Sequence, residues 1–214
     1  MLMKVIAVNI ATPKTILWGG KEVQTGIYKT PVSYPIMLEK EDVAGDTVTD
    51  RKHHGGTDKA CYAFAANHYP YWKKRYPELD WNWGMFGENL TIEGLDESVL
   101  HIGDTLQIGN ATVQVTQPRQ PCYKLGVKFG NQGVLKDFIT HAYPGIYLRV
   151  LQPGTVKTGD PVEILHHDPE RFSIREVFSL LYNPIPDHIP QIIAHPLLAE
   201  SCRKDLNRIL SRLT

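Results

Sequence analysis

The sequence predicts a mainly β protein with two helical inserts, followed by a small three-helix bundle. Two observations predict this class. Up to residue 168, short apolar runs rich in β-branched and aromatic residues alternate with Gly or Pro roughly every ten residues, which is typical of a barrel or a sandwich. From residue 170 onward, apolar residues recur with the helical period of about 3.6. We therefore predict two domains, residues 1–168 and residues 169–214.

Apolar runs in the first domain predict eight strands. These are Val5–Ile10, Gly26–Tyr28, Ala60–Ala65, Asn89–Ile92, Thr105–Ile108, Ala111–Gln117, Ile146–Leu151 and Pro161–Leu165. Two other segments, Ala66–Tyr76 and Val134–His141, are predicted as helical inserts. Each ends near a proline, Pro77 and Pro144, which is typical of a helix terminus.

The second domain is predicted to contain three helices. The first begins at Ser173, because Ser173 and Glu176 have the spacing of a capping box. The segment Asp187–Ala194 is the second helix, and Pro196 begins the third. Cys202 lies on the apolar stripe of this third helix, so we expect it to be a buried core residue.

Overall charge and cysteine content limit the possible classes of protein. The 214 residues include 23 basic and 23 acidic side chains, and this neutrality argues against a general binder of nucleic-acid polymers. No apolar stretch approaches the roughly 20 residues of a membrane span, and the N-terminus lacks the pattern of a signal peptide. The three cysteines are odd in number and far apart, which favours a reducing compartment. We expect a cytoplasmic protein without membrane partners.

Basic residues gather in two places despite the neutral total. No Asp or Glu occurs between Asp104 and Asp137. That interval contains the bases Arg119, Lys124, Lys128 and Lys136. A second cluster consists of Arg51, Lys52, His53 and His54, with Lys59 close behind. Together the clusters predict a concave site for an anion.

The segment around Cys122 is the most informative for chemistry. Pro118 and Pro121 cannot both lie in a central strand, so the strand ending near Gln117 must break into a loop that presents Cys122. Arg119 and Lys124 place cations on both sides of the thiol and favour the thiolate, which attacks electrophiles or binds soft metals. The alternative is a small apolar residue in a turn at the end of a barrel.

Glycine-containing segments offer further ligand contacts. Gly55 and Gly56 let the backbone approach an anion closely, although the Gly-Lys-Ser/Thr run of a Walker loop is absent. In the Gly-rich segment 84–90, Asn89 or Glu88 could hydrogen-bond a polar ligand, whereas an Asn before a strand is more often a turn residue.

Histidines give weaker signals. A zinc site is disfavoured for His53, His54, Cys61 and His68, because their spacing matches no pattern of paired ligands. The remaining histidines are expected to be scattered surface or turn residues: His101, His141, His166, His167, His188 and His195.

Three segments, in this order, resemble the MOSC domain, the C-terminal domain of molybdenum-cofactor sulfurases, and especially its stand-alone YiiM-like branch. They are Asp50–Gly56, Phe86–Leu90 and Gln117–Leu125, and the tail from about Arg171 is similar to the three-helix domain of that branch. The resemblance implies a closed barrel of the pyruvate-kinase-barrel type.

The resemblance also implies a cofactor, the pterin form of the molybdenum cofactor, with Cys122 as the catalytic thiolate and molybdenum ligand. The cofactor-binding residues would be Arg51, Lys52, His53, His54, Gly55, Gly56, Lys59, Asn89, Arg119 and Lys124. The implied activity is reductive removal of N-hydroxyl groups from small compounds such as 6-N-hydroxylaminopurine.

Three functional hypotheses follow from different classes, and the third is an anion-binding module without chemistry, for which Cys122→Ser would leave ligand affinity unchanged. In the first, the protein is a molybdenum-dependent reductase that receives electrons from a separate reductase, because three scattered cysteines cannot ligate a ferredoxin-type cluster. In the second, Cys122 carries persulfide sulfur or the cofactor itself without turnover. A homodimer is possible, and the helical tail could close the cleft, form that dimer interface or bind the electron donor.

Overall fold

The computed structural model describes residues 3–49 and 55–213, and its central feature is a closed ring of strands. The strands are β1 (Met3–Ala11), β2 (Lys14–Trp18), β3 (Lys21–Thr25), β4 (Lys29–Val32), β5 (Ile36–Leu38), β6 (Cys61–Ala65), β7 (Leu90–Glu93), β8 (Thr105–Ile108), β9 (Ala111–Pro118), β10 (Ile146–Gln152), β11 (Gly154–Val156) and β12 (Pro161–His166). Seven of them form the ring, in the order β12-β8-β9-β10-β6-β7-β1. The ring closes because β1 also pairs with β12. Strand β4 is added outside the ring by pairing with β1. The predicted closed barrel is confirmed.

In the part of the chain that the structure describes, six α-helices lie outside the ring. They are α1 (Tyr69–Arg75), α2 (Tyr123–Lys128), α3 (Gly133–His141), α4 (Ile174–Tyr182), α5 (Ile189–Ala194) and α6 (Glu200–Leu210). Helices α1 to α3 are inserted between strands, as predicted for two of them. Among the residues that the structure describes, no helix is both long and apolar enough to cross a bilayer.

One predicted strand is wrong. The segment 26–28 is irregular and lies between β3 and β4, because it packs against another loop and not in a ladder. A side chain at position 26 would collide with the backbone oxygen of Thr47, so only glycine permits this approach. The preceding β2–β3 hairpin was not predicted, although its turn residues Gly19 and Gly20 both have the positive φ that two-residue hairpin turns require.

The tail contains the helices expected from its periodicity. Ser173 is the N-cap of α4, and its Oγ accepts a hydrogen bond of 3.1 Å from the backbone N–H of Glu176, which confirms the predicted cap. Helix α6 begins at Glu200 and not at Pro196. Cys202 is fully buried, as predicted.

A single apolar core connects the barrel interior with the tail. Ile174 and Val177 of α4 and Leu206 of α6 are fully buried in the same cluster as barrel residues such as Leu148 and Val113. The division into domains at residue 168 stays a prediction.

Two of the supposed surface or turn histidines are buried. His101 and His195 are only 6% and 1% exposed. Each ring lies against a carboxylate, His101 against Asp104 and His195 against Asp168. The interpretation of these two as surface or turn residues was wrong, because His101 forms a β-bridge with the distant Ser173 and His195 pairs with Asp168, 27 residues away.

Candidate functional site

A solvent-open cleft brings together most of the candidate residues whose positions the structure describes. Its lining includes the bases Lys29, Lys59, Arg119 and Lys124, the carboxylate of Asp46, the thiol of Cys122, the amide of Asn89 and the rings of Tyr62, Phe86 and Tyr147. Four bases against one carboxylate give the cleft a positive potential, as the anion-site prediction requires.

Cys122 reaches the cleft because β9 ends just before it. Pro118 is the last residue of β9, where it pairs with Ile146 of β10, and the chain then leaves the sheet. Cys122 occupies the extended N-cap position of α2 and is half-buried. The prediction that a loop presents this thiol is confirmed.

The other two thiols are in different surroundings. Cys61 and Cys202 are buried, and burial raises the pKa of each thiol, that of Cys202 to about 12. A protonated buried thiol is a poor nucleophile and a poor metal ligand. Of the three cysteines, Cys122 is the one whose position suits chemistry.

Arg119 is a buried cation that lies among aromatic rings. Its side chain is held 5.0 Å from the ring centre of Phe138 and 5.6 Å from that of Tyr62, measured from the guanidinium carbon. The residue is 4% exposed, and its Nη1 has no hydrogen-bond partner among the described residues. Buried donors are nearly always paired, so this atom is open to an acceptor from outside the described residues. We call Arg119, Cys122 and Lys124 the open group, because all three line the solvent-open cleft.

Asn89 is used differently. Its Nδ2 donates to Asp46 Oδ2 at 2.8 Å, and its Oδ1 accepts from the backbone N–H of Tyr62 at 3.3 Å. Asp46 also forms an ion pair with Lys29, and both side chains are nearly inaccessible to solvent. We call Lys29, Asp46 and Asn89 the closed network, because its polar groups bond to each other. Asn89 lines the cleft but its amide already has partners within the protein.

The remaining candidates occupy several positions. Lys59 ends a 3-10 turn, and its Nζ lies 5.8 Å from the ring centre of Tyr147 on the cleft wall. Lys124 is in the first turn of α2 and is 6% exposed.

Other candidates lie outside the cleft lining. Gly56 has a φ of 89°, which favours glycine, but neither it nor Gly55 is among the lining residues. Arg51, Lys52, His53 and His54 lie outside the described residues.

Lys128 joins two segments beside the cleft. Its Nζ donates to the backbone oxygens of Ile27 at 3.0 Å and Gly84 at 2.8 Å. Burial lowers the pKa of this lysine to about 7. The two hydrogen bonds hold Ile27, which is part of the cleft wall, in place next to Gly84.

The tail supports the loop that carries Cys122. Gln120 Nε2 donates to Asp205 Oδ2 of α6 at 2.9 Å, and Ser201 Oγ donates to Gln117 Oε1 at 2.7 Å. The loop between β9 and α2 is thus held from the side of the C-terminal helices.

Sequence reasoning did not find several lining residues. Lys29 and Asp46 were missed because a buried ion pair has no local signature when its partners are 17 residues apart. Tyr62, Phe86 and Tyr147 look like ordinary core aromatics in the sequence. Gly26 and Ile27 also line the cleft, and they were missed because the segment 26–28 was predicted to be a strand.

Comparisons with known proteins give the family. The MOSC domain model matches residues 50–163. The chain is 36% identical over 211 residues to YflK of Bacillus subtilis, covering 98% of this chain and 95% of that protein. A protein of Gibberella moniliformis named "Reductase" is 32% identical over 161 residues, which are 74% of this chain but only 28% of that protein.

A solved structure agrees with the sequence matches. The crystal structure of YiiM from Geobacillus stearothermophilus matches with a TM-score of 0.82 and 34% identity, covering 97% of this chain and 99% of that chain. This protein belongs to the MOSC domain family. Its predicted resemblance to the YiiM-like branch is confirmed.

Proposed function

We propose that the protein binds the molybdenum cofactor in the cleft and reduces N-hydroxylated compounds such as 6-N-hydroxylaminopurine. The observation that carries the proposal is the open group. A half-buried thiol and two buried cations line one cleft, and Arg119 Nη1 has no hydrogen-bond partner among the described residues. Such a set of groups suits an anionic ligand with a soft metal centre.

The described residues fit the chemistry of this cofactor. Its phosphate needs cations and hydrogen-bond donors, which Arg119, Lys124 and Lys59 would provide. Its fused ring needs flat surfaces, and Tyr62 and Tyr147 supply aromatic rings in the same lining. The four basic residues of segment 51–54 remain candidates from the sequence.

Cys122 would be the protein ligand of molybdenum. The cofactor, when bound, supplies a metal that can take up and release two electrons. The overall reaction balances as R–NHOH + 2 e⁻ + 2 H⁺ → R–NH₂ + H₂O. Burial raises the pKa of Tyr147 to about 12, so this hydroxyl stays protonated and would act as a hydrogen-bond donor in the cleft.

The electrons would come from a separate reductase. The chain has three cysteines, whereas iron–sulfur clusters of the ferredoxin type are typically held by four. Two of the three are buried. Family membership and the relative named "Reductase" support a reductase in general terms, and the particular substrate is our proposal.

The test is to express the full chain in a molybdenum-sufficient host and measure bound molybdenum by mass spectrometry. Conversion of 6-N-hydroxylaminopurine is then followed with a reduced dye as electron donor. We expect stoichiometric molybdenum and turnover in the wild type, and loss of both in Cys122→Ala. Cys202→Ala is the matched control and should retain both, because Cys202 is a core residue.

A sulfur or cofactor carrier is the second candidate, since a half-exposed thiol in an open cleft also suits reversible loading of sulfur. Cyanide-releasable sulfur on Cys122, without tightly held molybdenum or turnover, would support the carrier and contradict the reductase. Molybdenum and turnover that persist in Cys122→Ala would contradict both.

A further inference from the structure

A second cluster of chemically active side chains lies where the barrel meets the tail. It contains His101 and Asp104, just before β8, and His167, just after β12. None of the three is among the residues that line the cleft described above. We propose that they form a binding site for a divalent transition-metal ion, with zinc as the preferred ion.

The distances between the three side chains support this assignment. Asp104 Oδ2 lies 3.3 Å from His101 Nδ1 and 3.2 Å from His167 Nδ1, and all three atoms are within 4.8 Å of one another. Metal bonds of about 2.0–2.1 Å in a tetrahedral site place neighbouring ligand atoms about 3.3–3.4 Å apart. Charge-assisted hydrogen bonds are usually shorter, about 2.7–2.9 Å. The spacing therefore suits three ligands around an ion.

The surroundings orient the carboxylate toward the histidines. Asp104 is fully buried, its Oδ1 accepts from the backbone N–H of Asp168 at 2.8 Å, and its Oδ2 also accepts from the backbone N–H of His101 at 3.0 Å. Asp168 in turn contacts His195 Nε2 at 3.0 Å. Outer contacts of this kind commonly hold metal ligands in place.

An ion could enter from the solvent side. The side chain of His167 is 42% exposed, whereas those of His101 and Asp104 are 8% and 0% exposed. Two imidazoles and one carboxylate are ligands that zinc accepts, and a water molecule would complete four-coordination.

The ion would join two distant parts of the chain. The segment after β12 already runs along residues 100–104, since Ile102 N donates to Phe172 O at 2.9 Å and Ile174 N donates to Leu100 O at 3.0 Å. A metal held by His101, Asp104 and His167 would fasten the start of the tail to the barrel. We infer a structural role for it, independent of the chemistry in the cleft.

The experiment uses the full-length protein after chelator treatment, titrated with zinc by calorimetry and with cobalt by visible absorption. We expect one zinc ion per chain, tetrahedral cobalt bands and a higher melting temperature with zinc. His167→Ala should weaken zinc binding at least tenfold and abolish the thermal shift. His166→Ala is the matched control, because His166 is the adjacent exposed histidine, and it should behave as the wild type.

Equal zinc affinity in the wild type and His167→Ala would overturn the proposal, as would a wild type that binds no zinc. Binding lost in His53→Ala but kept in His167→Ala would place the ion elsewhere and also overturn it. Circular dichroism of His167→Ala establishes that the variant is folded. Molybdenum content and turnover are not used, so the result does not depend on the proposed reductase activity.

Discussion

The closed network and the open group use buried charge in opposite ways, although both line the same cleft. In the closed network, the charge of Lys29 is balanced by Asp46, and the amide of Asn89 completes the hydrogen bonding. In the open group, Arg119 is equally buried but has aromatic rings around it and an unpaired Nη1 within the described part of the chain. Groups that bond to each other stabilise the fold, and groups left with unpaired donors are available to a ligand.

The largest expected effect comes from breaking the closed network. Asp46→Ala leaves the charge of Lys29 buried without its partner and removes acceptors from Asn89 and from the backbone N–H of Ala11. Breaking a buried ion pair in this way costs about 3–5 kcal/mol, and the free energy of unfolding measured in urea should fall by that amount. The double variant Lys29→Met/Asp46→Ala should lose less than the sum of the two single changes, because they share one interaction. A loss below about 1 kcal/mol for Asp46→Ala would contradict the structural role of this network.

Arg119→Met should separate binding from stability. The loss of a charged hydrogen bond, about 1.5–3 kcal/mol, predicts a cofactor affinity roughly ten- to a hundredfold weaker. The free energy of unfolding of the cofactor-free protein should change little, since removing a buried charge and losing its contacts with Tyr62 and Phe138 act in opposite directions. The molybdenum retained by the purified variant measures the change in cofactor affinity. The midpoint of urea unfolding measures the change in stability.

The control for this change is Arg212→Met, which removes an exposed arginine just after α6. This control should leave the cofactor affinity and the free energy of unfolding unchanged. Should Arg119→Met unfold the protein while the remaining folded fraction keeps its cofactor, Arg119 would belong with the closed network and the comparison between the two would fail.

The difference between these groups also explains how much the sequence could predict. Cys122, Arg119 and Lys124 were found because their signal is local, two prolines and two bases within eight residues. Asn89 lines the cleft, yet whether its amide is occupied depends on Asp46, which lies 43 residues away. Distant pairing of this kind leaves no periodicity or motif in the sequence.

The same reasoning applies to the fold. The ring strands were predicted where apolar residues are buried on the barrel interior, as in β9, which is buried along nearly its whole length. Strand β2 was missed because four of its five residues are exposed. His167 and Asp104 are 63 residues apart in the sequence. They lie close together because β12 pairs with β8 in the ring.

Lys128 is a half-buried lysine held by two backbone oxygens, and it predicts a pH dependence of stability. Its pKa is lowered by burial from the ordinary lysine value to about 7 in the folded protein. Between pH 7 and about 10, the unfolded chain therefore binds one more proton at this site than the folded chain does, so the free energy of unfolding contributed by Lys128 rises with pH. Below pH 7 both states are protonated and the contribution is constant.

Urea unfolding of the wild type and Lys128→Met between pH 6 and pH 9.5 measures this contribution as the difference between the two curves. We expect the wild type to gain stability relative to the variant as pH rises above 7, with a constant offset from the lost hydrogen bonds to Ile27 and Gly84. Lys136→Met, which changes an exposed lysine, should follow the wild-type pH dependence. Parallel curves for the wild type and Lys128→Met would mean that Lys128 is charged throughout this range. Its two backbone oxygens would then offset the cost of its burial, as Asp46 does for Lys29.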